Sequence, residues 1–385
     1  MAEVGEGVLF LTDRLGGPDE VRALRGLVER LGRLGHAPRV LCRVATPDHG
    51  IAGLTELPGL GRRWLLPWAS RGLGLGESPG RPRVLHVLGA GMAEAGLEVA
   101  ERWRLPYLIT IDEYPRRDAR LRLSRSWCRG LTATGDELAG ALAGDFGIPA
   151  RLIRVVPRGI AGPAKVPGAT SSGRVPVVGA AGPLVAGSGF VTFLNAARKV
   201  VDAGIDVEFL IAGGGDGEAD LRRRAERLRI TDRLTFSDAL AVGLTFWDAL
   251  DVFCQTSVTA TTGRPLALAM AHGVPSVTSD VEGLRALVRD GETGVRVPAG
   301  DASALARAII GLLADRDRAR AIGRAGRATA LAGHDPDREA GRLDGLYREA
   351  AAGAPAQSLR GSGAGAAEGR TLGWASAPTL LGPES

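Results

Sequence analysis

The stretch from residue 251 to 294 constrains this chain most. An apolar strand, DVFCQ, runs into a Thr/Ser-rich loop that ends at Thr262. Gly263, Arg264 and Pro265 then open a short helix, LALAMAHG, and a second strand at 274 to 278 precedes the turn DGETG. Pro265 suits the first helical turn, where its missing N–H leaves no bond unmade, and Gly273 is placed to end the helix. Two apolar strands joined this way form a parallel β-α-β unit, which is stable only with helices on both faces of its sheet. A loop feeding a helix N-terminus also gathers unpaired amides and a partial positive charge at one spot, the usual setting for phosphate. From periodicity alone, an ordinary β-α-β unit without a ligand reads the same.

The rest of the chain repeats this alternation. With 385 residues, 45% of them hydrophobic, two α/β cores are expected rather than one. Residues 8 to 12 read as a buried strand, followed by a turn through Gly16 and Gly17. A helix from 19 to 34 then carries Val21, Leu24, Leu27, Val28 and Leu31 at helical spacing. Further strands are expected at 39 to 43, 64 to 66, 83 to 88, 108 to 111, 131 to 134 and 154 to 156, with helices ending near Trp103 and spanning 136 to 146. The Gly89-x-Gly91 turn has Glu94 where a dinucleotide fingerprint needs its third glycine, and it falls outside the first βα turn of its domain. Residues 116 to 129 carry six arginines threaded with Leu121, Leu123 and Trp127, which read as a solvated helix or loop or as a basic face toward anionic lipid.

Pro, Gly and Ser fill residues 161 to 176, which read as a linker between a first domain (1 to 160) and a second (177 to 334). A helix at 335 to 351 is expected to cross back to the first domain, and 352 to 385 read as a disordered tail. The net charge of +5 comes from arginine and permits contact with anionic ligands or a membrane surface. Cys42, Cys128 and Cys254 are far apart, without metal or redox spacing, and fit a reducing compartment. The acidic N-terminus that runs straight into a strand is unlike a signal peptide, so a cytoplasmic protein is expected, at most peripheral at the inner membrane face.

The run MAHGVPSVTSDVEGLRALVRDGETGVRVPAGDASALARAI resembles the donor-binding core of glycosyltransferase family 4, whose members have the GT-B fold. The likeness extends back through LIAGGGDGEADLRRRAERLRITDRLTF and forward to the helix near Tyr347, with a fainter echo in the first half. It implies an α/β GT-B architecture of two Rossmann-like domains facing a cleft. It also implies a nucleotide-sugar donor with no other cofactor and no metal. Donor-side candidates are Gly16, Gly17, Gly187, Ser188, Gly189, Gly213, Gly214, Gly263 and Arg264. Acceptor-side candidates are His86, at the end of a strand, and Asp112, where many members carry His.

The same resemblance shows what is missing. The family carries two glutamates eight residues apart around the loop-helix junction; here those positions are Ala260 and Leu268. Its diphosphate-neutralising Arg and Lys are replaced by Pro183 and Ser188, and the Glu of the later Gly-rich turn by Ala286. Departure of a nucleoside diphosphate builds charge on phosphate oxygens, and positioned cations and amides stabilise it. The losses therefore imply a catalytically degenerate member that keeps the cleft as a binding or regulatory module beside an active glycosyltransferase in glycan assembly. The alternative is a divergent retaining enzyme moving a hexose from a nucleotide sugar to a glycan or lipid acceptor, with Arg264 replacing the missing cations. Expected partners are a nucleotide sugar or nucleoside diphosphate, an active glycosyltransferase and an anionic membrane surface; nucleic acid is not among them.

Overall fold

The computed structural model describes residues 7–15, 17–45, 49–60, 82–114, 121–163, 174–237, 244–353 and 370–372. Gly16, the strand expected at 64–66, arginines 116, 117 and 120, and linker residues 164–173 lie outside the described residues.

The first half contains β1 (Gly7–Leu15), β2 (Ala37–Ala45), β3 (Leu54–Glu56), β4 (Val84–Leu88), β5 (Tyr107–Ile111), β6 (Leu121–Leu123), β7 (Cys128–Ala133) and β8 (Ile153–Val155). Helices α1 (Pro18–Arg33), α2 (Ala93–Trp103) and α3 (Asp136–Gly144) alternate with them. Among the described residues, seven of these strands form one parallel sheet in the order β3-β2-β1-β4-β5-β7-β8. Val8, Leu9, Phe10 and Leu11 of β1 are all buried, because helices cover both faces of a parallel sheet.

The second half builds a second parallel sheet from β9 (Val177–Ala181), β10 (Glu208–Ala212), β11 (Leu234–Ser237), β12 (Val252–Gln255), β13 (Ser276–Ser279) and β14 (Val295–Val297), in the order β11-β10-β9-β12-β13-β14. Its helices are α4 (Phe190–Asp202), α5 (Glu218–Arg227), α6 (Leu244–Ala249), α7 (Arg264–Ala271), α8 (Ala302–Ala314) and α9 (Arg316–Gly333). The molecule is thus an α/β protein of two Rossmann-like domains. In each sheet the strand order reverses beside the first strand, between β1 and β4 and between β9 and β12. A crevice opens outside the carboxyl ends of strands at such a reversal.

The last long helix, α10 (Pro336–Ala351), follows the second sheet but packs on the first domain. Ala340, Leu343, Tyr347 and Ala350 share one core with Phe10, Val21 and Leu24. Asp335 caps the helix by accepting from the Asp337 amide at 2.8 Å. Arg30 Nε donates to Asp337 at 2.8 Å, and His36 Nε2 lies 2.7 Å from Asp344 Oδ1.

Three local readings differ from the sequence expectation. Asp13 and Arg14 continue β1 instead of turning, since Arg14 pairs with Val44 in the sheet and Arg43 of β2 donates to Asp13 at 3.0 Å. The described part of the arginine-rich segment is β6, a turn and the start of β7 rather than a helix, with Leu123 and Cys128 buried. Arg370–Leu372, inside the stretch expected to be disordered, forms β15 and pairs antiparallel with β6.

Candidate functional site

The carboxyl ends of both sheets face one cleft of about 940 Å³. Leu15, Leu88, Ala181 and Gln255, at the ends of β1, β4, β9 and β12, stand on its wall, as the strand-order reversal requires. Two hydrogen bonds join the domains across it. Thr262 Oγ1 donates to the Asp112 carbonyl at 3.0 Å, and Trp247 Nε1 of α6 donates to Asp19 Oδ2 of α1 at 2.9 Å.

Most of the donor-side candidates converge here. Gly17, Gly187, Ser188, Gly213, Gly214 and Arg264 all line the cleft, as do Pro183, Ala260 and Leu268, the positions without the family's cations and carboxylates. Gly189 and Gly263 stand behind them and shape the loops. Gly189 has φ +77, and a Cβ there would lie 1.6 Å from the Thr256 carbonyl oxygen, so the 183–190 loop can approach β12 only with glycine. Gly263 caps α7 in the left-handed region and packs against Leu284 and Leu287. The Ser188 hydroxyl turns back to the Val185 carbonyl within its own loop. Ala286 is exposed and is not on the described cleft wall.

Sequence folds α7 as expected. Pro265 occupies its first turn, and Gly273 at φ +75 ends it, with the Val274 amide donating to the Ala269 carbonyl at 3.0 Å. Every residue of α7 from Leu266 to Ala271 is buried, which fixes the helix in the second domain and aims its N-terminus at the cleft.

Charge is divided unequally between the two walls. Among the described residues, the second-domain wall contributes a single charged side chain, Arg264. Burial first, and then repulsion from Arg158, lower its guanidinium to about pKa 10, so it stays charged at neutral pH. No hydrogen bond or ion pair to another described residue satisfies it. The first-domain wall carries Arg14 and Arg158 against Asp19, Glu20, Asp112 and Glu113. Arg158 Nη1 donates to Asp112 Oδ2 at 2.9 Å. Burial lowers Arg158, but Asp112, Glu339 and Glu20 outweigh it and the net shift is upward. Glu113 is raised by burial and by the carboxylates of Asp112 and Glu20. At the start of α1, where Gly17 was expected to offer amides to phosphate, the first turn carries Asp19 and Glu20 instead.

Asp112 reaches the cleft, whereas His86 does not. His86 is 1% exposed; its Nε2 lies 2.7 Å from Thr110 Oγ1 and its Nδ1 2.6 Å from Tyr347 Oη. Thr110 Oγ1 in turn is 2.7 Å from Thr132 Oγ1. This buried chain ties β4, β5 and β7 to α10, and burial followed by Arg158 depresses His86 to about pKa 3. It is a neutral structural histidine. Arg158, Trp247 and Tyr114 line the cleft without having been singled out from the sequence. The only signal for Arg158 was its place after the last strand of the first domain.

Cys42, Cys128 and Cys254 are buried and free. Among the described residues, no group of three His, Cys, Asp or Glu is placed to hold a metal ion, and no helix is long and apolar enough to cross a membrane.

Comparison with known proteins agrees with the architecture. The family model described as Glycosyltransferase Family 4 matches residues 21–161, and that described as Glycosyl transferases group 1 matches residues 175–315. A 2-deoxystreptamine glucosyltransferase of Streptomyces kanamyceticus is 28% identical over 370 residues, covering 85% of this chain and 90% of that one. A phosphatidyl-myo-inositol mannosyltransferase of Mycobacterium leprae is 37% identical over 130 residues, 32% of this chain, and the match spans only 33% of that relative's length. Among solved structures, Anabaena Alr3699/HepE in complex with UDP-glucose aligns with TM-score 0.69 at 18% identity, over 89% of this chain and 98% of that one.

Proposed function

Because the chain belongs to the family 4, group 1 glycosyltransferases, we propose that its cleft binds a nucleotide sugar or nucleoside diphosphate through Arg264, with glycosyl transfer degraded or lost. The observation that carries this reading is the second-domain wall, on which Arg264 is the lone charged group among the described residues. A partly buried guanidinium with no internal partner, at the N-terminus of a buried helix, favours an anion on both counts. Its planar fork suits two phosphate oxygens at once. Catalysis is a separate matter. The positions that hold carboxylates in the family are Ala260 and Leu268, and both stand on the wall with nothing to orient a sugar or ribose hydroxyl. Pro183 and Ser188 supply no cation for the leaving diphosphate. Loss of one such stabilising donor commonly lowers a rate by about 100- to 1,000-fold. Binding without ordinary turnover fits a module that serves an active glycosyltransferase in glycan assembly.

A second reading keeps the chemistry: a retaining transfer of a hexose from a nucleotide sugar, with Arg264 and Arg158 gripping the diphosphate from the two domains. It is favoured by the Streptomyces glucosyltransferase relative that matches most of the chain. A thermal-shift screen with UDP, GDP, ADP and their sugars, paired with a donor-turnover assay, separates the readings. A ligand of the folded state raises stability by about 2.7 kcal/mol at a hundred times its Kd. A shift without donor turnover supports the degenerate module, and turnover at a rate ordinary for the family refutes it.

A further inference from the structure

Beyond the diphosphate pocket, the acceptor-side edge of the cleft holds three buried oxygens that bond to nothing in the protein: Tyr114 Oη, Thr134 Oγ1 and Glu137 Oε2. Tyr114 follows β5 and stands on the cleft wall. Thr134 follows β7, and Glu137 lies in the first turn of α3. All three therefore sit at the carboxyl edge of the first sheet, where the strand order places a ligand. Buried polar atoms are almost always satisfied, so an orphan marks a missing water or ligand.

The second domain closes over this edge. Gly283 has φ +86, and a Cβ on it would lie 1.8 Å from the Thr261 carbonyl oxygen and 3.6 Å from Glu137 Oε2. Thr261 itself lines the cleft. Glu137 thus reaches across the domain boundary to a turn that cannot carry a side chain there. The surroundings are acidic: burial and then Glu282, Glu137 and Asp145 push the Tyr114 phenol up to about 12. Arg285 is the nearby cation, and it is held by Asp280 at 2.8 Å.

We propose that Tyr114, Thr134 and Glu137 form an acceptor subsite for the ammonium group of an amino sugar or aminocyclitol. The inference rests on the reading of this cleft as a glycosyltransferase site, bound or active. A primary ammonium brings three donors and a positive charge; the wall offers three unpartnered oxygens, one of them a carboxylate with further carboxylates around it. A phosphorylated or carboxylated acceptor meets repulsion at the same place. Because an ammonium hydrogen-bonded to a carboxylate outweighs a neutral hydroxyl contact, about a tenfold to hundredfold preference over the hydroxyl analogue is expected.

The test is saturation-transfer NMR on the full chain with glucosamine, glucose and glucose 6-phosphate, in a buffer that keeps the amine protonated. Nucleoside-diphosphate binding is measured separately on each protein by calorimetry. The proposal requires glucosamine to bind tightest, Glu137→Gln to abolish its advantage over glucose, and Tyr114→Phe to weaken glucosamine without lowering thermal stability. Nucleotide binding should be the same in both variants as in the parent. Equal binding of glucosamine and glucose, a preference that survives Glu137→Gln, or glucose 6-phosphate binding as tightly overturns it. So does a Tyr114→Phe protein that melts several degrees lower, which would mean the hydroxyl has an internal partner. If the parent discriminates among the sugars but binds no nucleotide, the subsite stands and the diphosphate reading of the cleft fails.

Discussion

Trp247 Nε1 donates to Asp19 Oδ2 at 2.9 Å, joining the short helix α6 of the second domain to the first turn of α1 in the first domain. Trp247 is 2% exposed, so its indole N–H has no access to bulk water if the bond is lost. Asp19 also pairs with Arg22 at 2.9 Å, which holds the carboxylate in place. Asp19→Ala should therefore cost about 1–3 kcal/mol through the unmade N–H bond. Urea unfolding followed by tryptophan fluorescence measures it; a change under about 0.5 kcal/mol, the size of an ordinary surface substitution, contradicts the role given to this contact.

His86 makes stability depend on pH. Its pKa falls from 6.5 to about 3 in the folded protein, chiefly through burial. Below pH 6.5 the unfolded chain takes up a proton that the folded chain refuses. Its contribution is thus intact above pH 6.5 and is lost progressively as pH falls toward 3, at up to about 1.4 kcal/mol per unit. His86→Gln, which keeps a polar group toward Tyr347 and Thr110, should flatten that part of the profile. Identical slopes for parent and variant between those limits would show that His86 protonates freely.

Ala260 and Leu268 should respond differently to restored carboxylates. Ala260 lies on the open wall, and Ala260→Glu should leave the melting temperature nearly unchanged. Leu268 is 9% exposed and packs in the core around Trp247, Phe253 and Leu284. Leu268→Glu buries a carboxyl among those side chains and should destabilise by about 1–3 kcal/mol or more. Equal melting temperatures for the two variants would mean that α7 can turn Leu268 into the cleft.

The β/α alternation, the loop-helix unit around Pro265 and Gly273, and the second parallel sheet were legible because local periodicity and turn chemistry agree with the global fold. The long return of α10 was legible from the resemblance and its apolar stripe. The site was legible only where it coincides with a motif. His86 reads the same in sequence whether it faces a ligand or Tyr347, and only the packing of α10 decides. Trp247 and Arg158 gain their places from contacts with residues far along the chain, Asp19 and Asp112. The orphan oxygens of Tyr114, Thr134 and Glu137 are defined by the absence of partners, which no sequence pattern encodes.

The most direct test of the account is a calorimetric titration of UDP and GDP into the parent protein, Arg264→Ala and Arg264→Lys. The account predicts saturable binding of a nucleoside diphosphate by the parent, about 10- to 100-fold weaker binding by Arg264→Ala, and an intermediate value for Arg264→Lys, which keeps the charge and loses the two-pronged grip. Thermal stability should not fall in either variant, since Arg264 has no internal partner to lose. No binding by the parent, or affinity unchanged in both variants, would contradict it.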